Sequence, residues 1–187
     1  NGHSNIFMGT SAGQNITGSG SADGSYNIGF GRDALGAGAA GGETSGNFNA
    51  VMGHYSGRKI SSGQSNTLIG RVAGCTISSG SNNTFLGSGS GKCVSTGSKN
   101  IAIGVNAGCL FTTGCSNIAI GVNVTPPSNT GSCQLVIGVE SYSWMVGNCD
   151  FNVGIGTTNP NAPVGVGNTA KLSVGILSAY QLYGDGS

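Results

Sequence analysis

Six cysteines, two histidines and three arginines are the residues of this 187-residue chain with the widest chemical scope. Cys75, Cys93 and Cys109 are separated by 18 and 16 residues, and Cys115, Cys133 and Cys149 repeat the same two separations. Neither trio has the Cys-x-x-Cys pairs or the histidine spacing of a zinc site, so no metal is expected. Disulfide chemistry stays open, because the sequential pairs Cys75–Cys93, Cys109–Cys115 and Cys133–Cys149 would use all six, among the many connectivities that six cysteines allow. The competing reading is a set of reduced thiols acting as small buried hydrophobes. His3 and His54 are the only histidines. No Ser/His/Asp or Cys/His set, and no pair of carboxylates in a common register, supplies a base or a nucleophile. The chain is therefore expected to be no enzyme and to use no cofactor.

Two glycine-rich stretches imitate nucleotide sites. Gly36-Ala-Gly-Ala-Ala-Gly41 has the G-x-G-x-x-G spacing without a βαβ unit around it. Gly87-Ser-Gly-Ser-Gly-Lys92 is one residue short of a phosphate loop and opens no helix. Both are expected to be turns. Arg32, His54 and Arg71 are more informative, being 22 and then 17 residues apart. That spacing has meaning only if the chain repeats.

It does repeat. Asn5-Ile-Phe-Met-Gly9, Asn27-Ile-Gly-Phe-Gly31, Asn49-Ala-Val-Met-Gly53, Asn66-Thr-Leu-Ile-Gly70, Asn83-Thr-Phe-Leu-Gly87, Asn100-Ile-Ala-Ile-Gly104 and Asn117-Ile-Ala-Ile-Gly121 share one pattern, and Gln134-Leu-Val-Ile-Gly138 and Asn152-Val-Gly-Ile-Gly156 are weaker copies. The leading residues, taken as position 0, are spaced 22, 22, 17, 17, 17, 17, 17 and 18 apart. Regular self-similarity of this length marks a solenoid, whose coils bury their apolar faces only by stacking. Glycines bound segments of about five residues rich in Ile, Val, Phe and Thr, which favours strands over helices. The expected fold is all-β: a parallel β-solenoid, or β-roll, of about nine coils of 17–22 residues, forming a rod about 40 Å long.

Position +3 is always large and apolar, from Met8 and Phe30 to Ile137 and Ile155, so it is expected to face the core. Position +2 points the other way, yet is often apolar too, as at Phe7, Val51, Leu68, Phe85 and Val136. A thin solenoid does not cover both faces, so a second chain is expected over one of them, in a dimer or trimer. Arg32, His54 and Arg71 all fall at position +5, a basic column suited to an anion or glycan; a solvated strip beside Asp33 is the plainer alternative. The two 22-residue repeats place their extra residues in Thr17–Gly24 and Gly38–Gly46, which are expected to be spacer loops.

Composition narrows the function classes. Glycine, serine and asparagine fill 37, 25 and 19 positions, charged residues are 7% of the chain, and the formal net charge is +1. That balance gives no electrostatic footprint for nucleic acid or an anionic membrane. No apolar run is long enough for a membrane span, so no membrane insertion is expected.

The segments Asn100-Ile-Ala-Ile-Gly-Val-Asn-Ala-Gly108 and Gly114-Cys-Ser-Asn-Ile-Ala-Ile-Gly121 resemble the head repeats of YadA-like trimeric autotransporter adhesins. Joined to Asn152-Val-Gly-Ile-Gly-Thr-Thr-Asn-Pro160 and Lys171-Leu-Ser-Val174, they resemble bacteriophage tail-fibre proteins more closely, and Val174–Ser187 is similar to a β-module of structural proteins from tailed phages of marine cyanobacteria. The resemblance implies a homotrimer located in a virion, as a tail fibre or appendage, with other tail or virion proteins and a host-surface glycan as partners and a structural role in host attachment. The alternative it implies is the head of a bacterial surface adhesin that binds host matrix or glycan. The organisation expected is a repeat rod over 1–158, a linker over 159–170 marked by Pro160 and Pro163, and the start of a further β module over 171–187. Glu140–Trp144 departs from the repeat and is expected to begin a cap.

Overall fold

The computed structural model describes residues 4–14, 16, 24–36, 45–150 and 152–155, which contain no helix. The expected linker and further module, His3, most of the Gly36–Gly41 motif and most of the two spacer loops lie outside those residues. Ten strands form a single sheet in sequence order: β1 (Ile6–Met8), β2 (Ile28–Phe30), β3 (Ala50–Met52), β4 (Thr67–Ile69), β5 (Thr84–Leu86), β6 (Ile101–Ile103), β7 (Ile118–Val122), β8 (Leu135–Val139), β9 (Tyr142–Gly147) and β10 (Val153–Ile155). Strands β1 to β8 pair in parallel, with repeat positions in register: Leu68 lies beside Phe85, and Phe85 beside Ala102. Each chain segment therefore returns to lay its strand beside the last, which is the β-solenoid the period implies. Strand β9 then reverses onto β8 with a bulge at Ile137/Gly138, and β10 pairs antiparallel with β9. The last sequence copy, β10, thus runs in the direction of β1–β8 but pairs only with the reversed β9 and adds no parallel rung, while Glu140 and Ser141, at the start of the Glu140–Trp144 departure, make the turn into β9.

The expected direction of the strand faces is overturned. Position +2 faces the core, with Val51, Leu68, Phe85, Ala102, Ala119 and Val136 all buried, whereas Met8, Met52, Ile69, Leu86 and Ile103 at +3 are exposed. The reason is parity. Alternate residues of a strand share a face, and position 0 is a buried asparagine, so +2 goes inward with it.

The asparagines form a hydrogen-bonded column along the rod axis. Asn83 donates from its side-chain Nδ2 to Asn66 Oδ1 (3.0 Å) and to the Gly97 carbonyl (3.0 Å). Its Oδ1 accepts from the backbone N–H of Asn100 (3.0 Å) and from Asn100 Nδ2 (3.2 Å). Two donors and two acceptor sites are all that a carboxamide has, so every one is used. Backbone acceptance by the preceding amide recurs from Asn27 onto Asn5 through to Gln134 onto Asn117. Gln134 closes the column: its longer side chain turns to the Ser128 backbone, accepting at 2.8 Å and donating at 2.8 Å.

Around this column, core volume is shared among positions +2, +7 and +11. Phe85 at +2 is matched by Val94 at +11, and in the next coil Ala102 is matched by Phe111. Large and small residues thus exchange places while the filled volume stays nearly constant, as close packing requires. Position +8 is a left-handed glycine in the coils of Gly57, Gly74, Gly91 and Gly108; a Cβ at Gly91 would enter the Phe85 ring. The second coil breaks both rules together, with Gly29 at +2 and Leu35, 1% exposed, at +8. At +4, Gly70 has φ +136°, and an added Cβ would run into the Gly87 carbonyl of the next coil.

Replacing Asn83 by Leu leaves the Gly97 carbonyl, the Asn100 amides and one site on Asn66 without their partners in a dry interior. The expected loss is about 3–5 kcal/mol, read as a lower midpoint in denaturant unfolding, whereas a midpoint unchanged from the parent chain contradicts the role assigned to the column.

Candidate functional site

Three outward features carry the functional potential of the described residues. The first is the outer face of the sheet. Because +1 and +3 both point outward, it presents Ile6, Ile28 and Ile101 in one column and Met8, Met52, Ile69, Leu86 and Ile103 in the next, with Met8 65% and Met52 48% exposed. Thr67 and Thr84 interrupt the first column. Ten strands about 4.8 Å apart make the strip about 43 Å long. At about 10 Å wide it covers on the order of 400 Å² before side-chain relief, within the range of the largest apolar patch on a monomer, which is often functional. Further along, the neighbouring +5 column adds exposed Val105, Val122 and Val139.

The second feature is the start of that +5 column, where Arg32, His54 and Arg71 stand on successive coils. The structure joins two of them through residues the column reading missed. The Arg32 terminal nitrogen donates to the Tyr55 hydroxyl at 2.7 Å, and its Nε donates to Asp33 Oδ2 at 3.1 Å. Those bonds, Asp33 first, hold the Arg32 guanidinium more firmly protonated than usual. The His54 ring stacks on Tyr55, with centres 3.9 Å apart, and its sheltered Nε2 has no hydrogen-bond partner. The Arg58 guanidinium lies 4.7 Å and that of Arg32 5.4 Å from the centre of the Tyr55 ring. Arg71, exposed on the following coil, stands outside these contacts.

Tyr55 is placed by the backbone. Position +6 is left-handed throughout, with φ near +54° at Asp33 and Asn123 and +60° at Tyr55. Asn and Asp tolerate that region best, so a tyrosine there was the visible signal, although Val72 shares the same conformation.

The cysteines form the third feature, and all six are free thiols. None is fully buried: Cys75, Cys93, Cys109 and Cys115 are half-buried, and Cys133 and Cys149 are exposed. Cys75 and Cys109 share position +9 with Lys92 between them, and the Cys75 thiol lies 3.6 Å from the Lys92 carbonyl oxygen. Burial pushes the Cys75 thiol above its usual range, with Cys93 adding to the effect, and burial does the same at Cys109. Cys115 belongs to another column of its coil, where its N–H donates to Ser132 Oγ at 2.9 Å. Cys133 and Cys149 line one cleft of about 350 Å³ with Leu135, Asn148 and Val153, Cys149 arriving from the β9–β10 turn. Among the described residues, no group of three or more His, Cys, Asp and Glu side chains is placed to share a metal ion, and no helix is long and apolar enough to cross a membrane.

Thiolates are the species that alkylate, so the raised thiols of Cys75 and Cys109 need a higher pH to react. Timed alkylation with peptide mass analysis is expected to label Cys133 and Cys149 first at neutral pH, with the rates at Cys75 and Cys109 still climbing as pH rises; uniform labelling of all six would contradict the assigned environments. Compared with protein-family models, with curated proteins and with solved structures, the chain finds no match.

Proposed function

We propose that this chain is a non-enzymatic structural segment of an oligomeric fibre, in a phage tail fibre or related virion appendage, that supports host attachment. The observation that carries the reading is the two-column apolar strip on the outside of a sheet whose inside is already filled. An exposed apolar face on a parallel sheet is a liability for a lone chain. Three copies directing these strips at a common axis would bury them in a closed assembly, and the resemblance of the repeats to trimeric adhesin heads favours three over two. The basic start of the +5 column would then lie at the rim of the interface, where charge is tolerated. In mechanical terms, stacked ladders supply stiffness along the axis and the shared strip supplies resistance to bending, which suits a stalk that holds a receptor-binding part away from a particle.

Sedimentation equilibrium of the full chain is expected to give a trimer. The pair Met52→Glu and Ile103→Glu places charge on the strip without touching the core, and is expected to give monomers that keep the β-sheet circular dichroism of the parent. A parent chain that sediments as a monomer, or a charged variant that stays trimeric, would overturn the assignment of this face.

A further inference from the structure

We propose that Arg32, Tyr55 and Arg58 form a binding site for the oxyanion groups of an acidic polysaccharide, giving the rod a ligand contact of its own. The inference rests on the geometry of one chain and does not depend on the oligomer or on where the fibre is mounted. All three arginines of the chain fall between residues 32 and 71, and from there to residue 155 the only further cations are Lys92 and Lys99. A rod with so little charge has brought two of its three guanidinium groups to one ring.

The arrangement favours an anion that is absent from the protein itself. Two guanidinium groups lie 4.7 and 5.4 Å from the centre of one ring. The ring quadrupole attracts both but carries no net charge, and among the described residues Asp33 is the single carboxylate paired with them. Arg32 uses its Nε on Asp33 and one terminal N–H on Tyr55, leaving N–H groups directed to solvent from a side chain that is 60% exposed. Arg58 is exposed as well. Guanidinium forks match carboxylate and sulfate oxygens in pairs. Tyr55 completes the set: its hydroxyl accepts from Arg32, so its own proton is available to donate outward.

The donors are also held in place before any ligand arrives. The Tyr55 backbone N–H donates to the Arg32 carbonyl at 3.0 Å, its ring is packed on His54, and Arg32 is held at two nitrogens. Such preorganisation lowers the ordering cost of binding. A shallow surface site holds a lone small ion weakly against water, whereas a polyanion presents several linked oxyanion groups to the two guanidinium groups of one chain at a high effective concentration. A sugar polymer fits better than nucleic acid, because His54 and the guanidinium groups occupy the approaches to the Tyr55 ring and leave no open platform for a base.

The test is calorimetric titration of the full chain with dextran sulfate and polygalacturonate, alongside uncharged dextran and single-stranded DNA. At least one acidic polysaccharide is expected to bind, dextran is not, and DNA is expected to bind about tenfold more weakly or worse. The double variant Arg32→Gln, Arg58→Gln is expected to lose about ten- to a hundredfold in affinity, the range for charge-assisted hydrogen bonds. Tyr55→Asn, a residue suited to left-handed backbone, is expected to weaken binding with its melting temperature unchanged, and Arg71→Gln to bind like the parent. Failure of both acidic polysaccharides to bind, DNA binding as tightly, or full affinity in the double variant would overturn the proposal. None of these outcomes alters the sedimentation result, so this site and the fibre reading fail separately.

Discussion

A column of side-chain amides, each giving and accepting hydrogen bonds along the axis, is the constraint on which the rest of this rod depends. Asparagine suits the task because its donors and acceptors match those of the backbone beside it, so a buried polar residue can satisfy its neighbours and itself. Once the amide is fixed inward, the parity of the strand follows, and with it which apolar residues fill the interior and which are left outside. The column also fixes register. A slip of one residue would bring position +1 inward and leave a run of amide and carbonyl groups dry and unpaired, at a cost of about 1–3 kcal/mol for each.

Much of this was legible in the chain. The period, the parallel stacking and the departure at Glu140–Trp144 follow from the recurrence of Asn and Gly alone. The direction of the faces was misread because both +2 and +3 are apolar, and +3 is the more uniform. Uniformity was the misleading cue: the outward +3 positions are all large and apolar, whereas an interior shared by three columns varies the size at each one. The exchange of Phe85 and Val94 for Ala102 and Phe111 shows that compensation, and it is visible only when distant positions of one coil are read together. The same limit hid Tyr55 at +6, which meets Arg32, and Arg58 at +9, which lies over the Tyr55 ring, while a reading down one column found Arg32, His54 and Arg71. The amide column itself was recognised as a marker of phase without its burial, since position 0 looks like a turn residue in a chain so rich in Asn.

The ends of a solenoid expose what its middle hides. Here the C-terminal side of the parallel stack is closed in two ways at once. Gln134 turns the amide column back onto Ser128, and β9 reverses to pair with β8, so that Val146 covers Val136. The reversal also ends the parallel ladder, because β10 continues the sheet in antiparallel pairing. Closure of the amide column and termination of the parallel repeat thus occur together, and β10 is the last strand of the described sheet.

Repeats of 22 and 17 residues share this rod without disturbing it. The Asn49 amide meets Asn27 across the longer repeat at 2.9 Å, and the Asn66 amide meets Asn49 across the shorter one at 3.0 Å. Axial advance is thereby uncoupled from chain length, since the column continues unchanged across repeats of both lengths. Such a scaffold is open to molecular tinkering in two independent directions: copying whole repeats lengthens it, and enlarging a loop diversifies its flank, neither requiring a compensating change in the other.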